Sequence, residues 1–203
     1  MNRRHAVSAV LVVAGLLWAA TVFAMFHAMR QFEATPGRAA DARTSWPEKS
    51  NVPRPHGAWT LVTLMHPQCS CSRATVDELQ AILEKAPPSV RSFVLVYRPS
   101  EFPAGWENTE VVKAAAHLPR TQLIIDPDAR EAKLFGGFTS GQTFLYDGDG
   151  RLRFSGGVTA LRGHTGLNRG AAEVLRIAQS KVGTSSHPVF GCAIVSHTEG
   201  APQ

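Results

Sequence analysis

The sequence predicts an α/β fold, a three-layer sandwich with a mixed sheet, preceded by one N-terminal transmembrane helix. Three observations predict it. From Trp59 onward, short β-rich apolar runs alternate with helical stretches, which is the pattern of a sheet covered by helices. The last two apolar runs are separated only by Asp147-Gly148-Asp149-Gly150, the composition of a tight hairpin turn, so those two strands are antiparallel while the earlier ones, joined through helices, are parallel. Ahead of all of this, Ala6 to Met29 contains no Asp, Glu, Lys or Arg. As a helix that stretch reaches roughly 36 Å, enough to cross a bilayer.

Composition narrows the class of protein. The chain has 203 residues, the size of one domain with appendages, and 44% of them are apolar, which is enough for a packed core. Three cysteines are too few for a disulfide scaffold. The formal charge of +5 resides largely in Arg3, Arg4 and Arg30 beside the first apolar run; without those three, 18 basic residues face 16 acidic ones. No cluster of Lys and Arg interleaved with aromatics occurs, so nucleic acid is not an expected partner.

The elements follow in order. Arg3 and Arg4 before the apolar run place the N-terminus in the cytoplasm by the positive-inside rule and the rest of the chain outside it, as a single-pass protein of a bacterial-type inner membrane with a periplasmic or extracytoplasmic domain. The run exceeds the roughly 7–15 residues of a signal-peptide core, which favours an uncleaved anchor (residues 1–30) over cleavage after Ala24. Residues 31–57 carry Pro36, Pro47, Pro53 and Pro55 without periodicity and read as a linker. Trp59 to Leu64 is a strand, His66 to Arg73 a loop, and Val76, Leu79, Ile82 and Leu83 mark a helix that Pro87-Pro88 stops. Ser92 to Tyr97 is a buried strand, and Asn108 is placed to cap a helix through about His117. Leu123 to Ile125 is a third strand, with Asp126 as N-cap, Pro127 at the first helical position, and closure at Gly136. Thr143 to Tyr146 and Arg151 to Phe154 form the hairpin, and Ala171, Val174, Leu175 and Ala178 define a last amphipathic helix with Asn168 near its start. The domain then covers residues 58–182, and residues 183–203 form a tail that contains Cys192.

Chemistry is concentrated in His66-Pro67-Gln68-Cys69-Ser70-Cys71-Ser72-Arg73. A cysteine between a buried strand and a helix start sits at the positive end of the helix dipole, where a thiolate is stabilised, so Cys69 is the candidate nucleophile and Cys71 its partner. On a regular helix the two would point about 200° apart, so a direct bridge requires Cys69 to lie in the loop with only Cys71 beginning the helix. Cys192 lies on a Pro188-Val189-Phe190-Gly191-Cys192 tail that either folds back to this loop, where Cys192 in place of Cys71 could be the resolving thiol, or stays loose.

Over roughly Ala58 to Lys181 the chain resembles the thioredoxin-like superfamily, in particular its membrane-anchored extracytoplasmic branch. The resemblance rests on the strand, cysteine loop and helix of Leu61 to Leu83, on Leu123 to Asp128, and on Thr143 to Asp147 with Gly150. More narrowly, His66 to Ala74, Arg162-Gly163-His164-Thr165-Gly166 with Asn168, and Pro188 to Cys192 resemble the RedB-like group. The resemblance implies thiol-disulfide exchange with Cys69 attacking and Cys71 resolving, no required cofactor, and extracytoplasmic protein thiols or disulfides near the membrane as partners. Two positions depart from it. Ser72 stands where the superfamily has the second cysteine of Cys-x-x-Cys, and Gly141-Gln142 stands where it has a cis-proline. Since a cis bond without proline costs about 2.5–4 kcal/mol, a trans peptide is expected there.

These departures leave a second reading open, a copper-handling module similar to Sco-type proteins, with Cys69 and Cys71 as soft ligands and His164, His66 or Cys192 completing the site. His66 could otherwise serve as a base or an ordinary loop residue, and His164, in its Gly-rich loop with Arg162, as part of an anion site or a turn. His56, His117, His187 and His197 belong to no constellation. Peroxidase chemistry is disfavoured because His66 occupies the position of that family's threonine, and no haem or phosphate-loop motif is present.

Overall fold

The computed structural model describes residues 3–194, which divide after Thr35 into two compact units. The first unit holds one helix, α1 (Arg3–Ala34), whose Val7–Ala34 stretch is long and apolar enough to cross a membrane. It continues past Arg30, where a linker was expected, because Gln31 to Ala34 are compatible with a helix and Pro36 disfavours helical backbone only at the residue before it. The Thr35 hydroxyl donates to the Gln31 carbonyl at 2.6 Å and closes the last turn.

The second unit is built on a six-stranded mixed sheet. Its elements are β1 (Thr60–Met65), α2 (Ser72–Lys85), β2 (Arg91–Arg98), α3 (Glu110–Ala116), β3 (Thr121–Pro127), α4 (Arg130–Phe135), β4 (Gln142–Tyr146), β5 (Leu152–Gly157), α5 (Arg169–Ser180) and β6 (Ser185–Ser186). The spatial order is β3-β2-β1-β4-β5-β6. β1, β2 and β3 are parallel, β4 runs antiparallel to β1, and β5 antiparallel to β4, as the hairpin composition predicted. One face packs Leu61, Val94, Val96, Leu145 and Phe154 against α2, α3 and α5. The other packs Val62, Leu64, Leu95, Phe144 and Tyr146 against α4, Trp46, Val52 and Ile194.

That second face corrects the expected linker. Residues 36–57 form a strap on the sheet rather than a free connection: Trp46 and Val52 are buried, and the Leu152 N–H donates to the Thr44 carbonyl at 2.8 Å. Glu131 of α4 accepts from the Ser50 hydroxyl and the Asn51 backbone at 2.7 and 3.0 Å. The prolines that suggest a linker stiffen a chain whose two large apolar side chains find a place on the sheet. The tail likewise packs on the domain, with β6 lying parallel to β5 and Ile194 buried on the second face. His197, in the last part of the tail, lies outside the described residues.

Two helix starts also differ from expectation. Pairing of β3 with β2 continues to Arg98 opposite Pro127, so Pro127 belongs to the strand and α4 begins three residues later, after Asp128 and Ala129 with left-handed backbone. Asp126 still caps the helix from the strand end, accepting from the N–H groups of Glu131 and Ala132 at 2.9 Å each. Burial pushes its carboxyl above the ordinary aspartate value, and these bonds act in the opposite direction. α3 is preceded by Thr109 rather than Asn108, and the Thr109 hydroxyl donates instead to the Pro67 carbonyl at 3.0 Å, which fastens the α3 end to the cysteine loop.

Candidate redox site

The loop between β1 and α2 leaves the centre of the sheet and turns sharply. The Cys69 N–H donates to the His66 carbonyl at 3.1 Å, and the Ser72 N–H to the Cys69 carbonyl at 3.0 Å, so Cys69 sits in a turn and Cys71 is the N-cap of the 14-residue helix α2. Cys69 is therefore in the loop, as a bridge would require. Its partner, however, is Cys192, with the two Cα atoms 6.1 Å apart and 123 positions separating them in sequence. Cys71 is a free, buried thiol. The expected pairing of Cys69 with Cys71 is not formed, because the tail brings another sulfur to Cys69.

Main-chain bonds hold the tail in this position. Thr139 and Ala193 form an antiparallel bridge, flanked by Ser140 N–H to the Cys192 carbonyl and Ile194 N–H to the Phe138 carbonyl, each 2.8 Å. Upstream, Gly157 donates to Pro188 at 3.1 Å and Gly37 to Val189 at 2.8 Å. Gly191 is required for the approach, since a Cβ there would fall on the Ser140 carbonyl. Arg162 donates to the Gly191 carbonyl, which connects the Gly-rich loop to the tail.

Ser140, which no sequence spacing singles out, links the parts of the site. Its hydroxyl accepts from the His66 N–H at 2.9 Å and pairs with the Ser72 hydroxyl at 3.0 Å, and Ser72 donates to the His66 carbonyl at 2.9 Å. Each hydroxyl has one proton, so the ring runs in one sense: His66 N–H to Ser140, Ser140 to Ser72, Ser72 to the His66 carbonyl. Both serines are buried, and their hydrogen bonds fix the loop, the start of α2 and the segment before β4 against one another. Gly141 donates to the Leu64 carbonyl at 2.8 Å with φ of +87°, and Gln142 opens β4 with its amide donating to the Ser155 hydroxyl at 3.1 Å. No cis peptide bond occurs among the described residues, so the bond between Gly141 and Gln142 is trans as expected.

His66 lies against an aromatic wall that the sequence reading missed. Its ring is 5.5 Å from Tyr97 and 5.7 Å from Trp106, and Phe102, 42% exposed, stacks on Trp106 at 4.9 Å. The wall spans the end of β2 and the loop after it, held by the ion pair of Arg98 with Glu107 at 3.3 Å and by Gln68 donating to the Trp106 carbonyl at 3.4 Å. Three aromatics within ten residues around Pro99, Pro103 and Gly105 were the signal available. Burial lowers the His66 pKa below the ordinary value, opposed by a backbone hydrogen bond, and its Nδ1 accepts the Gln68 N–H at 3.2 Å, which makes it a neutral imidazole.

His164 is exposed in the loop that Glu78 anchors through Gly166 at 2.5 Å and Asn168 at 3.0 Å. His187 is half-buried, its ring 5.8 Å from Phe154 and its backbone N–H donating to the Ser155 carbonyl. Among the described residues no three His, Cys, Asp or Glu side chains gather as metal ligands. In this structure Cys69 is bonded to Cys192, and the Cys71 thiol is free.

No family model matches the sequence, and no curated protein matches it. Solved structures do. An uncharacterised conserved protein of Geobacillus kaustophilus is 15% identical over 82% of this chain and 95% of its own, with a TM-score of 0.57. A hypothetical protein of Sinorhizobium meliloti 1021 is 19% identical over 79% of this chain and 93% of its own, with a TM-score of 0.53. A secreted Mycobacterium tuberculosis disulfide oxidoreductase homologous to E. coli DsbE also matches, at 14% identity over 62% of this chain and 83% of its own, with a TM-score of 0.44. At such identities the likeness is one of fold. With its strand order and its helix packing, the second unit is a thioredoxin-like α/β sandwich, and it follows one N-terminal apolar helix long enough to cross a membrane.

Proposed function

We propose that the protein is a membrane-tethered thiol-disulfide oxidoreductase of the extracytoplasmic side, with Cys69 and Cys192 as its redox pair. The observation that carries this reading is the Cys69–Cys192 disulfide at the mouth of the β1–α2 loop, with the tail held there by main-chain hydrogen bonds. A disulfide in this place exchanges with protein thiols. Two substrate thiols become a disulfide, giving up two protons and two electrons, and the Cys69–Cys192 bond becomes two thiols. The reverse reaction reduces a substrate disulfide. Arg3 and Arg4 at the start of α1 support the topology, and an anchor restricts the partners to protein thiols and disulfides near the membrane.

The test uses the full chain in detergent. The oxidised protein should convert a reduced dithiol peptide to its disulfide faster than oxidised glutathione does, and Cys69→Ser or Cys192→Ser should abolish this. Cys71→Ser should leave it intact. Loss of activity in Cys71→Ser with retention in Cys192→Ser would return the redox pair to Cys69 and Cys71.

A further inference from the structure

The two sulfurs of the disulfide are not equivalent. Cys69 is 4% exposed, closed in by its own turn and by the tail, whereas Cys192 is half-buried and is followed by the exposed Ala193. Cys69 lies in the turn that leads into the 14-residue helix α2, two residues before its N-cap Cys71, and Cys192 lies in an extended tail, next to the Ala193–Thr139 bridge, with no helix to stabilise a negative charge. Exchange at a disulfide is governed by access to the sulfur attacked and by the stability of the thiolate that leaves. Both factors favour the same direction of attack.

On the reading that the Cys69–Cys192 pair is the redox centre, we infer that an incoming thiol enters at Cys192 and that Cys69 is the leaving group. The partner is then held on the tail and not on the helix. The step balances: the incoming thiolate forms a bond to Sγ of Cys192, the bond between the Cys192 and Cys69 sulfurs breaks, and its electron pair stays on Cys69 as a thiolate. The proton of the incoming thiol goes to solvent. The helix dipole stabilises the charge where it appears, so the sulfur beside α2 is the better leaving group. In the reductive direction the same intermediate is reached by attack of the Cys192 thiolate on a substrate disulfide, and Cys69 then displaces the substrate. The order inherited from the superfamily resemblance, with Cys69 as the entering sulfur, is inverted because Cys69 is buried while Cys192 is only half-buried.

The experiment is a regiochemical trap. The oxidised full-length protein in detergent is mixed with reduced glutathione, quenched at early times with acid, alkylated with N-ethylmaleimide and mapped by mass spectrometry. Glutathione should be found on Cys192 and maleimide on Cys69, in excess over the reverse by about tenfold or more. Glutathione on Cys69, an equal division between the two, or no adduct at either sulfur overturns the inference. Failure of the oxidoreductase reading is a separate result: glutathione would enter at Cys192 while the dithiol peptide is oxidised no faster than by oxidised glutathione.

Discussion

Opening the disulfide should weaken the domain by an amount that follows from the length of chain it closes. The Cys69–Cys192 bond closes a loop with 123 residues of sequence separation. The loop-entropy relation assigns such a closure about 5 kcal/mol at room temperature, through the freedom denied to the unfolded chain. That figure is a ceiling. It is reached when the reduced tail stays docked through its backbone bonds at Gly157, Gly37, Ser140 and Ile194; a tail that leaves on reduction gains freedom in the folded state and lowers the loss. The expected loss is about 2–5 kcal/mol, which at about 2 kcal/mol/M is a fall of roughly 1–2.5 M in the urea midpoint. Unfolding of the oxidised and phosphine-reduced full chain, followed by near-ultraviolet circular dichroism, measures it. Gly191→Ala reaches the open state without touching a cysteine, because its Cβ would fall on the Ser140 carbonyl and keep the tail from seating. It should show three alkylatable thiols in place of one and a midpoint near that of reduced protein. An unchanged midpoint on reduction would refute the closure, and a fall well beyond 2.5 M would refute the entropic account of it.

Ser140→Ala should remove the acceptor of the His66 N–H and the partner of the Ser72 hydroxyl, at a cost of about 1–3 kcal/mol for leaving buried polar groups unsatisfied, and should shift the redox potential of the pair. Ser140→Thr, which keeps the hydroxyl, should restore the potential; a potential indifferent to both changes would deny Ser140 a positioning role. His66 should titrate by NMR below the ordinary histidine value of 6.5. The folded state resists a proton that the unfolded chain accepts, so His66 contributes to stability above 6.5 and this contribution is lost as pH falls through the lowered value. His66→Gln should flatten that part of the stability profile, and a His66 midpoint at or above 6.5 would refute its burial as the cause.

The sequence by itself determined the alternation of strands and helices, the parallel first three strands and antiparallel hairpin, the apolar N-terminal helix and the place of Cys69 between β1 and α2. These are legible because they depend on local periodicity, turn composition and the length of an uncharged run. What was illegible depends on contacts between distant positions. Trp46 and Val52 lie among prolines and polar residues, and only the uncovered second face of the sheet shows where they pack. Asp126 reads as an N-cap, but pairing of Pro127 with Arg98 extends the strand and moves the helix start to Arg130. Ser140 belongs to no motif; its role arises because the segment before β4 lies beside the β1–α2 loop, 74 positions from His66. The cysteine pairing is the clearest case. Adjacency along the chain favoured Cys71, yet Cys71 begins the helix and is buried there, while the main-chain bonds of Thr139 and Ser140, together with a glycine at position 191, bring Cys192 within bonding distance of Cys69. A disulfide follows the separation of its Cα atoms in space, and here tertiary structure alone sets that separation.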